Sequence, residues 1–237
     1  MAYLAGILAG GMGSRMSIDL PKQFLSINGK PVIVRTIEKF ANINKFNKIY
    51  IAIHKEWIGY CEDLLNKHNV DMSKIKIVLG GETRFLSMYN LIIEALQDGY
   101  SEDNMVIHDC ARPFVPDRVI LELIDKKNSF DMVTASQQTI DTILVSKDGE
   151  KSDYMPDRST IYLDQGPQIF NVYQLKNLID RLTNEEKLNF IEAGRVFLEN
   201  NLSVGIVKGD RLSFKITNMF DVAVAEVIAK QLDVEMN

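Results

Sequence analysis

Three glycines and two cations follow the first apolar run of the chain at a spacing that suits phosphate binding. Gly10, Gly11 and Gly13 leave backbone N–H groups uncovered, so an anion can approach closely. Arg15 and Lys22 add the positive charge that a polyphosphate requires. The spacing matches neither a Walker loop nor a Gly-x-Gly-x-x-Gly fingerprint. The segment indicates a nucleotide site, although a tight strand-to-helix turn would also explain the glycines.

Later segments combine glycine, charge and carboxamide groups over short distances. They are Gly80-Gly81-x-x-Arg84-x-x-Ser87, His108-Asp109-x-Ala111-Arg112-Pro113-Phe114, Gln165-Gly166-Pro167-Gln168-Ile169-Phe170 and Gly209-Asp210-x-x-x-x-Lys215-Ile216-Thr217-x-x-x-Asp221. Their cations could offset the charge of a second anionic reactant. Each also has an ordinary explanation, since Lys215 could face solvent from a strand, and Asp109 and Arg112 could form a structural ion pair.

These segments resemble the signature of the sugar-phosphate nucleotidyltransferases and occur in the same order. The signature begins with the two segments at the start of the chain, Leu8-Ala9-Gly10-Gly11-x-Gly-x-Arg15-Met16 and Pro21-Lys22-Gln23-Phe24-Leu25. The chain is most similar to the cytidylyltransferases that act on methylerythritol phosphate and ribitol phosphate. The resemblance covers nearly the whole chain. It implies an enzyme that joins CTP to a sugar or polyol phosphate and releases pyrophosphate. It also implies Mg²⁺ bound mainly through the CTP phosphates, with no metal site built from side chains.

The resemblance implies a role for individual positions. Those that would act on the reacting phosphates are Arg15, Lys22 and Lys215. Those that would bind the nucleotide are Leu8, Ala9, Gly10, Gly11, Gly13, Gly80, Gly81, Arg84 and Ser87. Those that would bind the acceptor are Asp109, Arg112, Arg158, Gln165 and Thr217. No general base is needed, because an acceptor phosphate is already a nucleophile, so His108 is predicted to be a packing residue.

Departures from the family pattern bear on the acceptor. The family's Gln-Thr-Pro-Gln is Gln165-Gly166-Pro167-Gln168 here, and its Thr-Asp-Glu/Asp-Ala is Phe190-Ile191-Glu192-Ala193. Both changes remove a threonine, and the Leu8-Ala9-Gly10-Gly11 start is similar to the ribitol-phosphate branch. We therefore expect D-ribitol 5-phosphate as acceptor, giving CDP-ribitol for teichoic acid or another wall or capsular polymer. The alternatives are 2-C-methyl-D-erythritol 4-phosphate of isoprenoid synthesis as acceptor, a nucleotidyltransferase that uses UTP or another base, and an inactive nucleotide-binding regulatory domain.

Apolar periodicity places these segments in a single domain spanning residues 1–237. The patterns typical of strands lie at 4–9, 48–53, 75–79, 105–108 and 131–135, and those typical of helices at 31–40, 58–68 and 85–96. Their alternation predicts an α/β fold with a mostly parallel, Rossmann-like sheet and helices on both faces. Such sheets bind ligands at the carboxyl ends of strands, where Gly10, Gly80 and Asp109 fall.

Two segments depart from this alternation. Residues 138–165, the arm, predict a protruding polar hairpin with strands at 140–145 and 160–163 and a turn at 147–150. The resemblance implies that the arm crosses to a second copy in a homodimer and that Arg158 contacts the acceptor phosphate there; a surface hairpin is the alternative. Residues 218–232 predict an amphipathic helix capped by Asn218, with an apolar face of Phe220, Val224, Val227 and Ile228.

Composition narrows the class of protein. A net charge of −5 and a pI of about 5.3 argue against nucleic acid as the partner. The cysteines, Cys61 and Cys110, form neither a metal box nor a disulfide framework. No apolar stretch approaches the roughly 18 residues that a membrane span requires, and no basic region precedes the first apolar run. These features predict a soluble cytoplasmic protein without membrane association.

Overall fold

A computed structural model describes residues 2–11, 20–190 and 192–235 of the chain. Gly13 and Arg15, both assigned above to the phosphate site, lie outside the described residues. The strands are β1 (Tyr3–Leu8), β2 (Ser26–Ile27), β3 (Lys30–Pro31), β4 (Phe46–Ile53), β5 (Ile75–Leu79), β6 (Asn104–Asp109), β7 (Met132–Gln138), β8 (Tyr162–Asn171) and β9 (Val204–Lys208). The α-helices are α1 (Val32–Ala41), α2 (Ile58–Lys67), α3 (Arg84–Gln97), α4 (Asp117–Lys126), α5 (Val172–Asp180), α6 (Asn184–Asn189), α7 (Ala193–Glu199) and α8 (Met219–Glu235).

Within the part of the chain that the structure describes, the main sheet has seven strands in the order β5-β4-β1-β6-β8-β7-β9. β1 lies between β4 and β6 and is parallel to both, while β8 is antiparallel to its neighbours β6 and β7. Alternate side chains of β1 enter different hydrophobic cores: Ala5 and Ile7 pack with α1, α2 and α4, and Leu4 and Leu8 with α3, α5 and α7. The predicted mostly parallel sheet, covered on both faces, is confirmed.

Strand register brings the sequence segments to one edge of the sheet. Leu8 at the end of β1 pairs with Ala52 of β4 and with Asp109 of β6. Ile53 pairs in turn with Leu79, which immediately precedes Gly80. The carboxyl ends of these parallel strands therefore meet where ligands of such sheets bind.

The pairing of β7 with β8 contains an irregular stretch. Thr134 is opposite Gln168, and Ser136 is opposite Asp164, so one residue of β7 faces the three residues 165–167 of β8. Gly166 in this stretch has a φ of +60°, in the left-handed region that a side chain strains. The local backbone thus gives a reason for glycine at this position that is independent of any ligand.

The arm is less regular than predicted. Between Gln138 and Tyr162 the described structure contains a bridge from Val145 to Tyr154 and a 3₁₀ turn at Arg158–Thr160, so the predicted strand at 140–145 is not formed. Of the predicted strand at 160–163, Tyr162 and Leu163 belong to β8. The Asp148 carboxylate accepts backbone hydrogen bonds from Glu150 and Lys151, which supports the predicted turn. The exposed large apolar side chains of the arm are Ile140, Leu144, Tyr154, Met155, Tyr162 and Leu163.

The last helix, α8, begins as predicted but buries another face. Asn218 Oδ1 accepts a hydrogen bond from the Asp221 N–H at 3.0 Å. Ala225 and Ala229 are fully buried, flanked by the half-buried Val222, Ile228 and Leu232, whereas Phe220 and Val227 are 76% and 67% exposed. The predicted apolar face was wrong at Phe220 and Val227, because the face of α8 that packs against the core is centred on Ala225 and Ala229. No helix among the described residues is long and apolar enough to cross a membrane.

Candidate active site

A cavity of about 380 Å³ opens at the carboxyl ends of β1 and β6. It is lined by Leu8, Ala9, Gly10, Gly11, Lys22, Gln23, Gly81, Glu82, Thr83, Arg84, Ser87, Asp109, Cys110, Ala111 and Lys215. Most of the residues assigned from sequence to the nucleotide and to the reacting phosphates are therefore brought together here. Gly80 borders this lining without belonging to it, and Arg112, Arg158, Gln165 and Thr217 also lie outside it.

Lys22 is positioned by its neighbour Gln23. The Gln23 side chain is 3% exposed and donates a hydrogen bond of 2.7 Å to the backbone oxygen of Ala9. The Ala9 N–H donates to Ala52 O at 2.9 Å, so the end of β1 is itself fixed to β4. Because Gln23 joins the 3₁₀ turn Lys22–Phe24 to this strand end, Lys22 lies on the cavity wall. Gln23 belongs to the motif Pro21-Lys22-Gln23-Phe24-Leu25, but the sequence alone did not indicate this anchoring role.

The loop at Gly80 and Gly81 is held by Ser87. The Gly81 N–H donates to Ser87 Oγ at 3.0 Å, and that hydroxyl donates to Thr83 O at 2.9 Å. A Cβ on Gly81 would lie 2.5 Å from Leu86 Cβ, so no side chain fits here. The Thr83 side chain caps α3 by accepting from the Leu86 N–H. Ser87 is thus placed where it orders the loop and the start of α3.

Asp109 is the centre of a cluster of cations. Its carboxylate contacts Arg84 Nε at 2.8 Å and Lys215 Nζ at 2.6 Å, and Arg112 Nε lies 3.9 Å away. Burial alone would raise the pKa of this carboxyl, but the charges of Arg84 and Lys215 hold it well below its usual range. Asp109 is therefore ionised at any pH at which the protein would be assayed.

Arg84 joins Asp109 to a second carboxylate, because its NH1 lies 2.9 Å from Glu192 Oε2. Burial opposes the charge of Arg84, but Asp109 and Glu192 more than offset it and raise its pKa. Burial, Asp164 and Asp109 raise the pKa of Glu192, although Arg84 lowers it in part. Arg84 thus lies between two acidic groups and cannot rotate freely.

The backbone around Lys215 is fixed by hydrogen bonds at Ser213 and at Ile216, one on each side of it in the chain. The Arg112 NH1 donates to Ser213 O at 2.6 Å, and the Ile216 N–H donates to Ala111 O at 2.9 Å. Lys215 lies in no strand, and its ammonium contacts Asp109 rather than extending into solvent. Arg112 therefore supports the segment that carries Lys215, and its pair with Asp109 is long.

Other positions assigned from sequence to the acceptor lie outside the cavity. Gln165 accepts a hydrogen bond from the Asp210 N–H and donates one to Gln137 Oε1. The Thr217 hydroxyl donates to Asp221 Oδ2 at 2.6 Å and so belongs to the start of α8. Arg158 lies on the exposed arm, where its NH1 donates to Ile140 O at 3.2 Å. An acceptor role for these residues remains a proposal.

His108 behaves as the sequence predicted. Its Nε2 lies 2.9 Å from Arg112 O, and its ring packs against Phe40. Burial lowers the pKa of His108 from 6.5 to about 4, so the ring is neutral at physiological pH. Among the described residues no group of three or more acidic, histidine or cysteine side chains could hold a metal ion. The chemistry available here is neutralisation and orientation of anions by lysine and arginine.

The family model described as "IspD: 2-C-methyl-D-erythritol 4-phosphate cytidylyltransferase" matches residues 4–231. The chain belongs to this family. The IspD family consists of CTP-dependent cytidylyltransferases, and the enzyme class expected from the sequence segments is confirmed.

Solved structures of proteins named for the same activity share the fold. The 4-diphosphocytidyl-2C-methyl-D-erythritol synthase from Anaerococcus prevotii is 25% identical with a TM-score of 0.81, over 97% of this chain and 96% of that one. The IspD of Francisella tularensis is 26% identical with a TM-score of 0.77, over 95% and 98%. The Thermus thermophilus enzyme, 21% identical with a TM-score of 0.74 over 97% and 100%, shows the fold alone.

Proposed function

We propose that the protein transfers the cytidylyl group of CTP to 2-C-methyl-D-erythritol 4-phosphate and releases pyrophosphate. The observation that carries this proposal is the convergence of Lys22, Arg84 and Lys215 on the end of β1, in a chain that matches the IspD family over 4–231. The cavity combines uncovered backbone at Gly10 and Gly11 with fixed cations, as a nucleoside triphosphate requires.

In the proposed reaction an acceptor phosphate oxygen attacks the α-phosphorus of CTP. A bond forms between them, the bond from the α-phosphorus to the bridging oxygen breaks, and pyrophosphate leaves with that electron pair. Because both reactants are anions, Lys22 and Lys215 contribute by offsetting the repulsion between them and by stabilising the negative charge of the transition state. Mg²⁺, where bound, would be held mainly by CTP phosphates and would supply further positive charge.

The IspD relatives favour methylerythritol phosphate over the ribitol phosphate expected from the sequence. One of the two missing threonines that favoured ribitol phosphate, together with the Leu8-Ala9-Gly10-Gly11 start, is at Gly166. The left-handed φ of Gly166 supplies a backbone reason for glycine, so the missing hydroxyl is weaker support for another acceptor.

A panel of nucleotides and acceptors tests this proposal. Pyrophosphate release is measured with CTP or UTP against methylerythritol 4-phosphate, ribitol 5-phosphate and no acceptor. We expect kcat/KM with CTP and methylerythritol 4-phosphate to exceed every other pair at least tenfold. A preference for ribitol 5-phosphate would assign the chain to polyol-phosphate chemistry. CTP binding without turnover on any acceptor would indicate a regulatory domain.

We also propose that the site is completed by the arm of a second copy in a homodimer. The support is the position of Arg158, which is exposed on the arm and outside the cavity of its own chain. The arm also carries apolar side chains, such as Leu144 and Met155, that are more than half exposed. A guanidinium suits a phosphate because its fork donates two hydrogen bonds together.

Mixing two inactive variants tests the arm. If Arg158 acts in the partner's site, Arg158→Ala and Lys215→Ala chains should recover activity on subunit exchange, because one site of each heterodimer is intact. At equal amounts about a quarter of wild-type activity is expected, since half the dimers are mixed. Arg195→Ala, an exposed arginine on α7, serves as a control that should stay active alone. Proven exchange without recovery, or a fully active monomer, would show that the arm is a surface hairpin.

A further inference from the structure

Glu192 is a half-buried carboxylate that the reaction outlined above does not use. It is the residue before α7, and it reaches the cavity wall through Arg84. Its Oε2 lies 2.9 Å from Arg84 NH1 and accepts a hydrogen bond of 3.1 Å from Gln168 Nε2. Glu192 and Arg84 are 108 positions apart in the chain, so their contact depends on the tertiary fold.

Gln168, a residue of β8, connects Glu192 to the sheet. Gln168 is 1% exposed, and its Nε2 also donates to Asp164 Oδ2 at 2.8 Å. Asp164 accepts in turn from the Thr134 hydroxyl at 2.6 Å and from the Gly166 N–H at 3.1 Å. A chain of hydrogen bonds therefore runs from β7 and β8 through Glu192 to Arg84, and neutral donors hold its acidic groups in place.

Arg84 uses different nitrogens for its two acidic partners. Nε faces Asp109, and NH1 faces Glu192, so the planar guanidinium is fixed at both ends. Asp109 has a second close cation in Lys215. If Lys215 turned toward substrate phosphates, Arg84 would still hold Asp109 closely, whereas Arg112 Nε lies 3.9 Å away. An Arg84 held at one end alone could follow the incoming phosphates instead.

We propose that Glu192 is a positioning residue: acting through Arg84, it keeps Asp109 in place while Lys215 moves to the reacting phosphates. This inference builds on the proposed cytidylyl transfer. The placement has a cost, because Asp109 and Asp164 are nearby carboxylates that disfavour a further charge. A carboxylate at position 192 is explained, despite this repulsion, if Arg84 needs a second acidic partner besides Asp109 to hold its guanidinium in place.

A double-mutant cycle between Glu192 and Arg84 tests the proposal. For Glu192→Gln we expect kcat to fall about tenfold or more, with KM for CTP changed less than twofold, because the charge holding Arg84 is removed while the shape is kept. Glu192→Asp keeps the charge and should recover part of kcat. In an Arg84→Met background, Glu192→Gln should have no further effect. Glu199→Gln, an exposed carboxylate on α7, is the matched control and should equal wild type.

Three outcomes would overturn the proposal: wild-type kcat in Glu192→Gln, losses of kcat that multiply independently in the double variant, or a loss that follows a lower melting temperature alone. The same cycle measured by urea unfolding, with no substrate, should show that the two substitutions are not additive. Additive unfolding midpoints would refute the contact whichever acceptor the enzyme uses. Failure of the acceptor panel instead refutes the proposed reaction, so the two failures are distinguishable.

Discussion

Replacing Lys215 with methionine is expected to lower kcat/KM about a hundredfold or more while the protein stays folded. Methionine keeps much of the length and apolar stem of lysine but removes the ammonium, which lies 2.6 Å from Asp109 at the cavity. If that ammonium neutralises charge on the reacting phosphates, its contribution is larger in the transition state than with bound substrates. The loss should therefore be in kcat more than in KM.

Steady-state pyrophosphate release measures this effect, and circular dichroism verifies the fold. Lys208→Met provides the control, because Lys208 is an exposed lysine at the end of β9 and lines no part of the cavity. It should keep wild-type kinetics. A folded Lys215→Met protein with turnover within threefold of wild type would remove Lys215 from the reaction.

Neutralising Asp109 is expected to have the largest effect on stability. In Asp109→Asn, Arg84 and Lys215 lose the carboxylate they share, and we expect the free energy of unfolding to fall by about 3 kcal/mol, as when one partner of a buried pair is removed. The released positive charge should also bind inorganic tripolyphosphate about tenfold more tightly, although turnover falls. Weaker substrate turnover with stronger polyanion binding is an outcome that simple misfolding does not produce.

Urea unfolding and calorimetric titration measure these two effects. Because the folded pKa of Asp109 is depressed, its stabilisation is complete above the ordinary value of 3.8 and declines below it. The stability gap between wild type and Asp109→Asn should stay constant from neutral pH to about pH 4 and narrow under more acidic conditions. Asp117→Asn, at an exposed pair with Lys39, should lose less than 1 kcal/mol as a surface pair does. Equal losses in the two variants would contradict a central role for Asp109.

Elements with a clear apolar period could be predicted from sequence. α1 and α3 were located to within about one residue at each end, because their buried side chains recur at helical spacing. β8 was not identified as one strand, because Gly166-Pro167 in its middle is typical of a turn. The face of α8 was partly wrong because the residues that pack most tightly are alanines, which carry a weak hydrophobic signal.

The site could be predicted where function constrains the residue type. Lys22, Arg84, Asp109 and Lys215 were named from segments far apart in sequence, and the fold places all of them on one cavity. Glu192 was noted only as part of Phe190-Ile191-Glu192-Ala193, which matches a family segment, and no role was assigned to it. Its place in the site depends on a contact with Arg84, 108 positions away, and a local segment does not show which distant side chain the carboxylate meets.

The irregular pairing of β7 and β8 adds an even number of residues to one strand. One residue of β7 faces the three residues 165–167 of β8, a surplus of two. Side chains alternate between the two faces of a strand. A surplus of two residues therefore leaves the side chains before and after the irregular stretch on the same faces as in a regular ladder. Deleting one of these residues would invert the faces of Asp164 and the base of the arm relative to Gln168. Deleting two would restore a plain ladder with parity intact, so length variation here is expected to come in pairs.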